Sequence, residues 1–314
     1  MRAVKVMAVA PATVANVGPG FDIFGLALSQ PVDQVTLTTN SSGEVTLSSQ
    51  LGSDPSKNAA GVVLLRLLAK YPLESTGIHI QVDKGMEVGT GMGSSAASGA
   101  AAAKAFEEVY WLLGGARVRV EDLLEACVHA ESVCAGSRHG DNCLPAYLGG
   151  FVLVIDVSFT PIYQRIAIPP GLIFLLFKPD IAILTSAARA ILPPQVSLKS
   201  RIHTSAHCAA MTLALSQGDL ATFCQHIVTS DIEEARSGLI PRYQEVRTAA
   251  LEAGALAFSI SGSGPAVFAV TTEDAGNWRA VVDDVVGAFE GRVKVFRAVP
   301  SNEGARVLHS QIIA

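Results

Sequence analysis

Residues 88–98 read VGTGMGSSAAS, and no other stretch constrains the chain so tightly. Three glycines alternate with small residues, two serines follow, and an alanine-rich run begins. Glycine loses more backbone freedom on folding than any other residue. Three of them before a strong helix former therefore mark a backbone that turns through positive φ or admits something close to its amides. Ile78–Val82 has strand character upstream, and Ser95–Leu113 reads as a strong helix. Strand, glycine loop and helix form a layout that binds phosphate, because unpaired N–H groups and about half a positive charge gather at a helix start. Ser94 and Ser95 can cap the helix, donate to phosphate or place an oxygen on Mg²⁺. No lysine follows Gly93, as a Walker loop requires, and the spacing is not GxGxxG. The GxSxG elbow of a serine hydrolase is missing around Ser94 and Ser95. Taken alone, the loop fits a ligand-free glycine turn as well as a phosphate site.

The rest of the chain narrows the classes. Its 314 residues suffice for a large core and two domains. Apolar residues make up 49% and charged residues 16%, which argues for a compact globular enzyme and against disorder. A net charge of -5 without a basic block excludes nucleic acid and anionic membranes as natural partners. The most apolar stretch, Ile166–Leu184, is broken by Pro169-Pro170-Gly171 and Lys178-Pro179-Asp180, too short on either side for the roughly 20 residues of a membrane span. Five scattered cysteines without a CxxC pair indicate a reduced, cytoplasmic protein. Cys127 and Cys134, seven apart on an expected helix, read as packing residues.

Strands are expected at Arg2–Val9, Phe151–Val157, Leu172–Phe177, Val293–Ala298 and Ala305–Ile312. Asp33–Thr39 and Glu44–Ser48 alternate apolar and polar around Ser41-Ser42-Gly43 and read as an antiparallel hairpin. Helices are expected at Ala59–Ala69, Glu121–Cys134, Ser197–Gln217, Leu220–Val228, Leu239–Ala253 and Asp274–Phe289. The elements mix without a steady βαβ rhythm, which indicates an α+β fold with antiparallel and mixed sheets. Gly149-Gly150, Pro161 and Pro169-Pro170 suggest a boundary that divides the chain into 1–160 and 161–314.

Two further segments accompany the glycine loop: APATVANVGPGFDIFGLAL at 10–28, with Asn16 and Asp22 in a Pro/Gly-rich loop, and SISGSGP at 259–265 between two strands. Each alone reads as an ordinary turn. Together and in this order they resemble the three motifs of the GHMP family of small-molecule kinases. The segments ESVCAGSRHGDNCLPAYLGG (131–150), TSAARAILP (185–193) and SDIEEARSGLIP (230–241) look like those of the family's homoserine-phosphorylating branch. The resemblance spans nearly the whole chain.

It implies the two-domain GHMP fold and transfer of the γ-phosphoryl of ATP to the side-chain hydroxyl of L-homoserine, with a homodimer as the family's assembly. Val88, Gly89, Thr90, Gly91, Met92, Gly93, Ser94 and Ser95 would wrap the phosphates, Asn58 would contact adenine, and Ser95 and Glu131 would hold Mg²⁺. Asn16, Asp22, His139, Asn142, Arg189, Arg236 and Gly262 would surround the amino acid, the two arginines taking its carboxylate. The chemistry suits these residues: a guanidinium fork matches a carboxylate, an aspartate matches an ammonium, and a glutamate is a hard ligand for Mg²⁺. Related mevalonate kinases carry an aspartate base where this chain aligns Asn142, which orients a hydroxyl but accepts no proton. A mechanism without a strong side-chain base is therefore expected, with Asp141 as the alternative base. Glu87 stands where family members often have proline; beside a triphosphate it should repel unless it points away or meets a cation. Other readings are a mevalonate-type kinase and a non-catalytic protein of the same fold.

Overall fold

The structure, a computed structural model, describes residues 3–313. The first part of the chain forms β1 (Val4–Ala15), β2 (Phe24–Asn40), β3 (Val45–Ser49), α1 (Ala59–Lys70), β4 (Gly77–Asp83), α2 (Ser94–Leu112), α3 (Val120–Ala135), α4 (Cys143–Leu148), β5 (Phe151–Asp156) and β6 (Ile162–Ile166). The second part forms β7 (Leu172–Pro179), α5 (Thr185–Ala190), α6 (Leu198–Ser216), α7 (Leu220–Gln225), α8 (Asp231–Ser237) and α9 (Tyr243–Glu252). It ends with β8 (Ala257–Ile260), β9 (Val267–Thr272), α10 (Trp278–Ala288), β10 (Val293–Ala298) and β11 (Arg306–Ile312).

The first sheet runs β11-β1-β2-β4-β3, and the β5–β6 hairpin pairs with the start of β2. The second runs β10-β7-β9-β8 and is antiparallel. This is the expected α+β class. The last strand, β11, returns to pair with β1, so the first sheet draws on both ends of the chain. Arg2 of the expected first strand lies outside the described residues; the strand itself runs on through Pro11 to Ala15.

The expected hairpin of Asp33–Thr39 with Glu44–Ser48 does not form. β4 lies between them, antiparallel to β2, and β3 pairs parallel to β4 on its far side. Burial explains the order. β4 places Ile78, Ile80 and Val82 in the core, whereas β3 contributes only Leu47 and takes the edge. The sequence reading also passed over β6, α4, α5 and α8, all short elements.

The apolar run of β7 has a direct cause. Leu172, Phe174 and Leu176 join the core shared with the first sheet, while Ile173, Leu175 and Phe177 join a second core under α9 and α10. A strand covered on both faces needs apolar residues at every position. Helix α2 lies against β1 and β2 and buries Ala96, Ala97, Gly99 and Ala100–Ala103. These small side chains let its backbone approach the sheet and place its N-terminus over the end of β1.

Beneath that N-terminus lies a buried ion pair. The Asp33 carboxylate on β2 meets the Lys84 ammonium, accepts from Ser98 Oγ at 2.7 Å, and accepts the N–H groups of Gly85 at 3.0 Å and Met86 at 3.2 Å. Lys84 Nζ also donates to Ser94 O at 2.8 Å and Ser98 Oγ at 2.9 Å. Burial pushes the Lys84 pKa down against the pull of Asp33. Lys84→Met would strand a buried carboxylate and should cost roughly 3–5 kcal/mol of stability. Denaturant unfolding is the measurement, and the double change Asp33→Asn, Lys84→Met should recover part of the loss.

Candidate active site

The three glycine-rich segments meet in space. Gly89, Gly91 and Gly93 all have positive φ, at 73°, 78° and 70°. A Cβ on Gly91 would lie 2.4 Å from the Ser261 carbonyl oxygen, and one on Gly93 would lie 2.0 Å from Thr13 Oγ1. Ser261 Oγ donates to Gly91 O at 2.6 Å, and the Ala266 N–H donates to Thr90 O at 3.2 Å. The Gly262 N–H donates to Ala15 O at 3.1 Å. Close packing thus requires glycine at positions 91 and 93, and backbone sign favours it at all three.

Helix α2 opens with Gly93 as its N-cap and no side-chain cap. Of the roles open to the two serines, capping is not the one taken: Ser94 Oγ donates back to Met86 O at 3.2 Å, and Ser95 Oγ donates to Glu131 Oε1 at 2.9 Å. The first amides of α2 consequently face a cleft of about 460 Å³.

Of the expected phosphate-loop residues, Val88, Gly89, Thr90, Gly91, Gly93, Ser94 and Ser95 line this cleft. Met92 does not; its side chain is in the core, and its carbonyl accepts the Thr13 N–H at 3.1 Å. Asn58 is also absent from the lining. Its side-chain oxygen caps α1 by accepting the Ala60 N–H at 3.0 Å, which accounts for its conformation without a ligand.

The remaining expected residues, Asn16, Asp22, Glu131, His139, Asp141, Asn142, Arg189, Arg236 and Gly262, all reach the same cleft. Arg189 on α5 forms a bidentate ion pair with Asp22, with Nη1–Oδ2 at 2.9 Å and Nη2–Oδ1 at 2.6 Å. Arg236 on α8 donates from Nη1 to Gly262 O at 3.0 Å. Asn16 Nδ2 donates to that same carbonyl at 2.7 Å, and its Oδ1 accepts the Asp22 N–H at 3.0 Å. Asn142 Oδ1 accepts from Thr13 Oγ1 at 2.7 Å.

The cleft holds its carboxylates in an uncomfortable state. Burial pushes the Glu131 pKa up, offset in part by His139, 3.9 Å away, and by Ser95. Burial and the charge of Asp22 push Asp141 up to about 7, against Arg189 and Arg236. His139 Nδ1, Asp141 Oδ1, Arg189 Nε and Arg236 Nε are buried without a hydrogen-bond partner. Buried polar atoms are normally paired, so this group of orphans makes the cleft chemically suited to a polar ligand.

Glu87 meets cations. Lys178 Nζ lies 2.9 Å from its Oε2, and Lys294 contacts its Oε1. Hydrogen bonds from Lys294 and Lys178 bring its pKa down to about 2. The substitution for proline is therefore neutralised by the second sheet.

Several participants carried no sequence signal. Phe21 lies under both arginines, 4.6 Å from Arg236 and 5.4 Å from Arg189. Glu233, in a segment where no element is expected from the sequence, is buried and accepts from Tyr243 Oη and from Ser259 Oγ at 2.7 Å. Burial raises it to about 7, and it ties α8, which carries Arg236, to α9 and β8. The five cysteines are free; Cys127 is buried as expected, but Cys134 is exposed at the cleft. Among the described residues no helix is long and apolar enough to cross a membrane.

Known proteins share this chain's sequence and fold. Residues 58–150 match the GHMP kinases N terminal domain, and residues 211–281 match the GHMP kinases C terminal domain. The homoserine kinase of Thermococcus gammatolerans is 38% identical over 283 residues, 89% of this chain and 91% of that protein. The chain belongs to the GHMP kinase family, in its homoserine kinase branch. The homoserine kinase of Chlorobium phaeovibrioides is 37% identical over 320 residues, 95% of this chain and 98% of that one. The crystal structure of homoserine kinase from Cytophaga hutchinsonii superposes with a TM-score of 0.88 at 33% identity, covering 97% of each chain. L. major mevalonate kinase shares the fold, with a TM-score of 0.73 at 17% identity.

The raised Asp141 pKa has a consequence for stability. The unfolded chain releases this proton near pH 4 and the folded one near 7, so stability falls as pH rises through that window. Asp141→Asn removes this contribution. Its stability relative to the wild type should therefore rise between pH 5 and pH 8 in thermal melts of the ligand-free protein. A difference independent of pH would contradict the burial account.

Proposed function

We propose that the chain transfers the γ-phosphoryl group of ATP to the side-chain hydroxyl of L-homoserine, giving ADP and O-phospho-L-homoserine. One observation carries the reading: a single cleft joins an uncapped helix N-terminus in a glycine cradle to a set of opposite charges fitted to a zwitterion. Residues 1–160 supply most of the phosphate side, and residues 161–314 supply both arginines. Phosphoryl transfer depends mainly on positioning and charge neutralisation, and this cleft provides both.

The residues fit the absent groups. The amides of α2 and the loop offer donors for the triphosphate, with no Cβ in the way at Gly89, Gly91 and Gly93. Bound Mg²⁺ would neutralise phosphate charge. Among the described residues no group of three His, Cys, Asp or Glu side chains could hold a metal alone. That suits an ion which takes one carboxylate, here Glu131 with the Ser95 hydroxyl, and fills its shell from phosphates and water. Arg189 and Arg236 bind the α-carboxylate, and Asp22 the ammonium. The Asn142 oxygen is engaged by Thr13, so its amide N–H faces the acceptor hydroxyl and orients it. The enzyme works in the cytoplasm, where its free cysteines stay reduced, and we take a homodimer as its assembly.

The acceptor proton passes to the phosphate in this reading. A second reading, Asp141 as base, gains support from its pKa of about 7 and its unpartnered Oδ1. Asp141→Asn separates them. Charge balancing near the ammonium predicts a higher KM with modest change in kcat, whereas loss of a base predicts about 10²–10⁴-fold lower kcat.

The test of function is ADP release from Mg-ATP with L-homoserine, mevalonate, L-threonine or no acceptor. Turnover confined to L-homoserine is expected. Turnover with mevalonate alone would overturn the assignment of the acceptor pocket, and no turnover would favour a binding protein of this fold.

A further inference from the structure

The bidentate pair between Arg189 and Asp22 raises a question that the functional reading leaves open. Both terminal nitrogens of Arg189 are engaged by both oxygens of Asp22. That is the fork-to-fork geometry an amino-acid carboxylate would itself adopt on arginine. Asp22 therefore covers the face of Arg189 that the substrate carboxylate is expected to use, and Arg189 covers the oxygens expected to meet the ammonium. Both cannot hold as they stand once substrate is bound.

We propose that the Arg189–Asp22 pair is an internal stand-in for a zwitterion, which L-homoserine replaces by giving each residue the opposite charge it loses. This rests on the homoserine kinase reading above. The surroundings favour exchange. Asp22 has a φ of 58° and Asn16 one of 73°, a backbone sign uncommon for residues other than glycine. Asn16 ties that loop to Gly262 O and to the Asp22 N–H, so Asp22 stays in place when its partner leaves. Phe21 offers the guanidinium groups of Arg189 and Arg236 an aromatic face independent of Asp22. The pair is partly exposed, with 25% of the Arg189 side chain and 34% of Asp22 accessible. Ion pairs of that exposure hold weakly enough to be displaced.

Charge bookkeeping then sets specificity. A zwitterion splits the pair and leaves both residues compensated. A ligand with only a carboxylate, such as 4-hydroxybutyrate, strands Asp22 close to the Asp141 carboxyl. A ligand with only an ammonium, such as 4-amino-1-butanol, strands Arg189 beside Arg236. The wrong ligand is rejected by the charge it leaves unpaired, more than by contacts it fails to make.

The test is a set of dissociation constants, by NMR titration, for these three ligands with the wild type, Asp22→Asn and Arg189→Gln. Asp22→Asn should weaken L-homoserine by at least about tenfold, or about 1.4 kcal/mol. It should bind 4-hydroxybutyrate several-fold more tightly than the wild type, because Arg189 has been freed. Arg189→Gln should show the mirror result, weaker for L-homoserine and tighter for 4-amino-1-butanol. Two variants with opposite gains cannot be imitated by general misfolding. If neither variant gains affinity for its single-charge ligand while the wild type binds L-homoserine, the pair persists under the substrate and the exchange is wrong. If the wild type does not bind L-homoserine, the functional reading falls, and the exchange with it.

Discussion

The cleft depends on one buried carboxylate. Asp33 is wholly inaccessible, and it gathers a lysine, a serine hydroxyl and two successive backbone amides. Those partners come from the segment that leads from β4 into the glycine loop and from the first turns of α2. A charge placed there would be costly without such compensation. With it, the loop has a fixed origin, from which three positive-φ glycines carry the backbone along the cleft. The same anchoring sets the distance from Ser95 to Glu131, because Lys84 holds the Ser94 carbonyl one residue earlier.

A second constraint acts across the molecule. Gly91 lies so close to Ser261 that no side chain fits between them, and Glu87 reaches Lys178 and Lys294 on the second sheet. The phosphate loop is thereby clamped to the half of the chain that carries Arg189 and Arg236. Distance between donor and acceptor sites is then a property of packing, as a reaction governed by positioning requires. The unpartnered atoms and upward-shifted carboxyls are the reverse side of this arrangement: they are polar groups that a cation, a phosphate and a zwitterion would satisfy.

Much of this was legible in the sequence. The glycine loop and its two companion loops each read as an ordinary turn alone; it is their combination and order, with the HGDN at 139–142, that points to one site, and all reach one cleft. The α+β class followed from the order of elements. What escaped detection depended on contacts distant in sequence. Asp33 and Lys84 are 51 residues apart, and Asp33 sits in an alternating strand pattern where an aspartate reads as solvent-facing. The parallel register of β3 depends on β4, which has yet to appear in the chain when the hairpin pattern is read. The burial of Glu233 carries no local signal because its partners, Tyr243 and Ser259, lie on other elements. Asn58 and Met92 are the converse case: the family position suggests a contact, whereas capping and core packing are what the structure shows for these side chains.

The central claim is that one cleft brings a phosphate donor and an amino-acid hydroxyl together. Phosphorus NMR of wild-type protein incubated with Mg-ATP and L-homoserine tests it most directly. The account predicts loss of the γ-phosphate signal and growth of a phosphomonoester resonance coupled to the protons of the substrate's terminal side-chain methylene. ADP and inorganic phosphate as the only products, or a phosphate attached elsewhere on the amino acid, would contradict it.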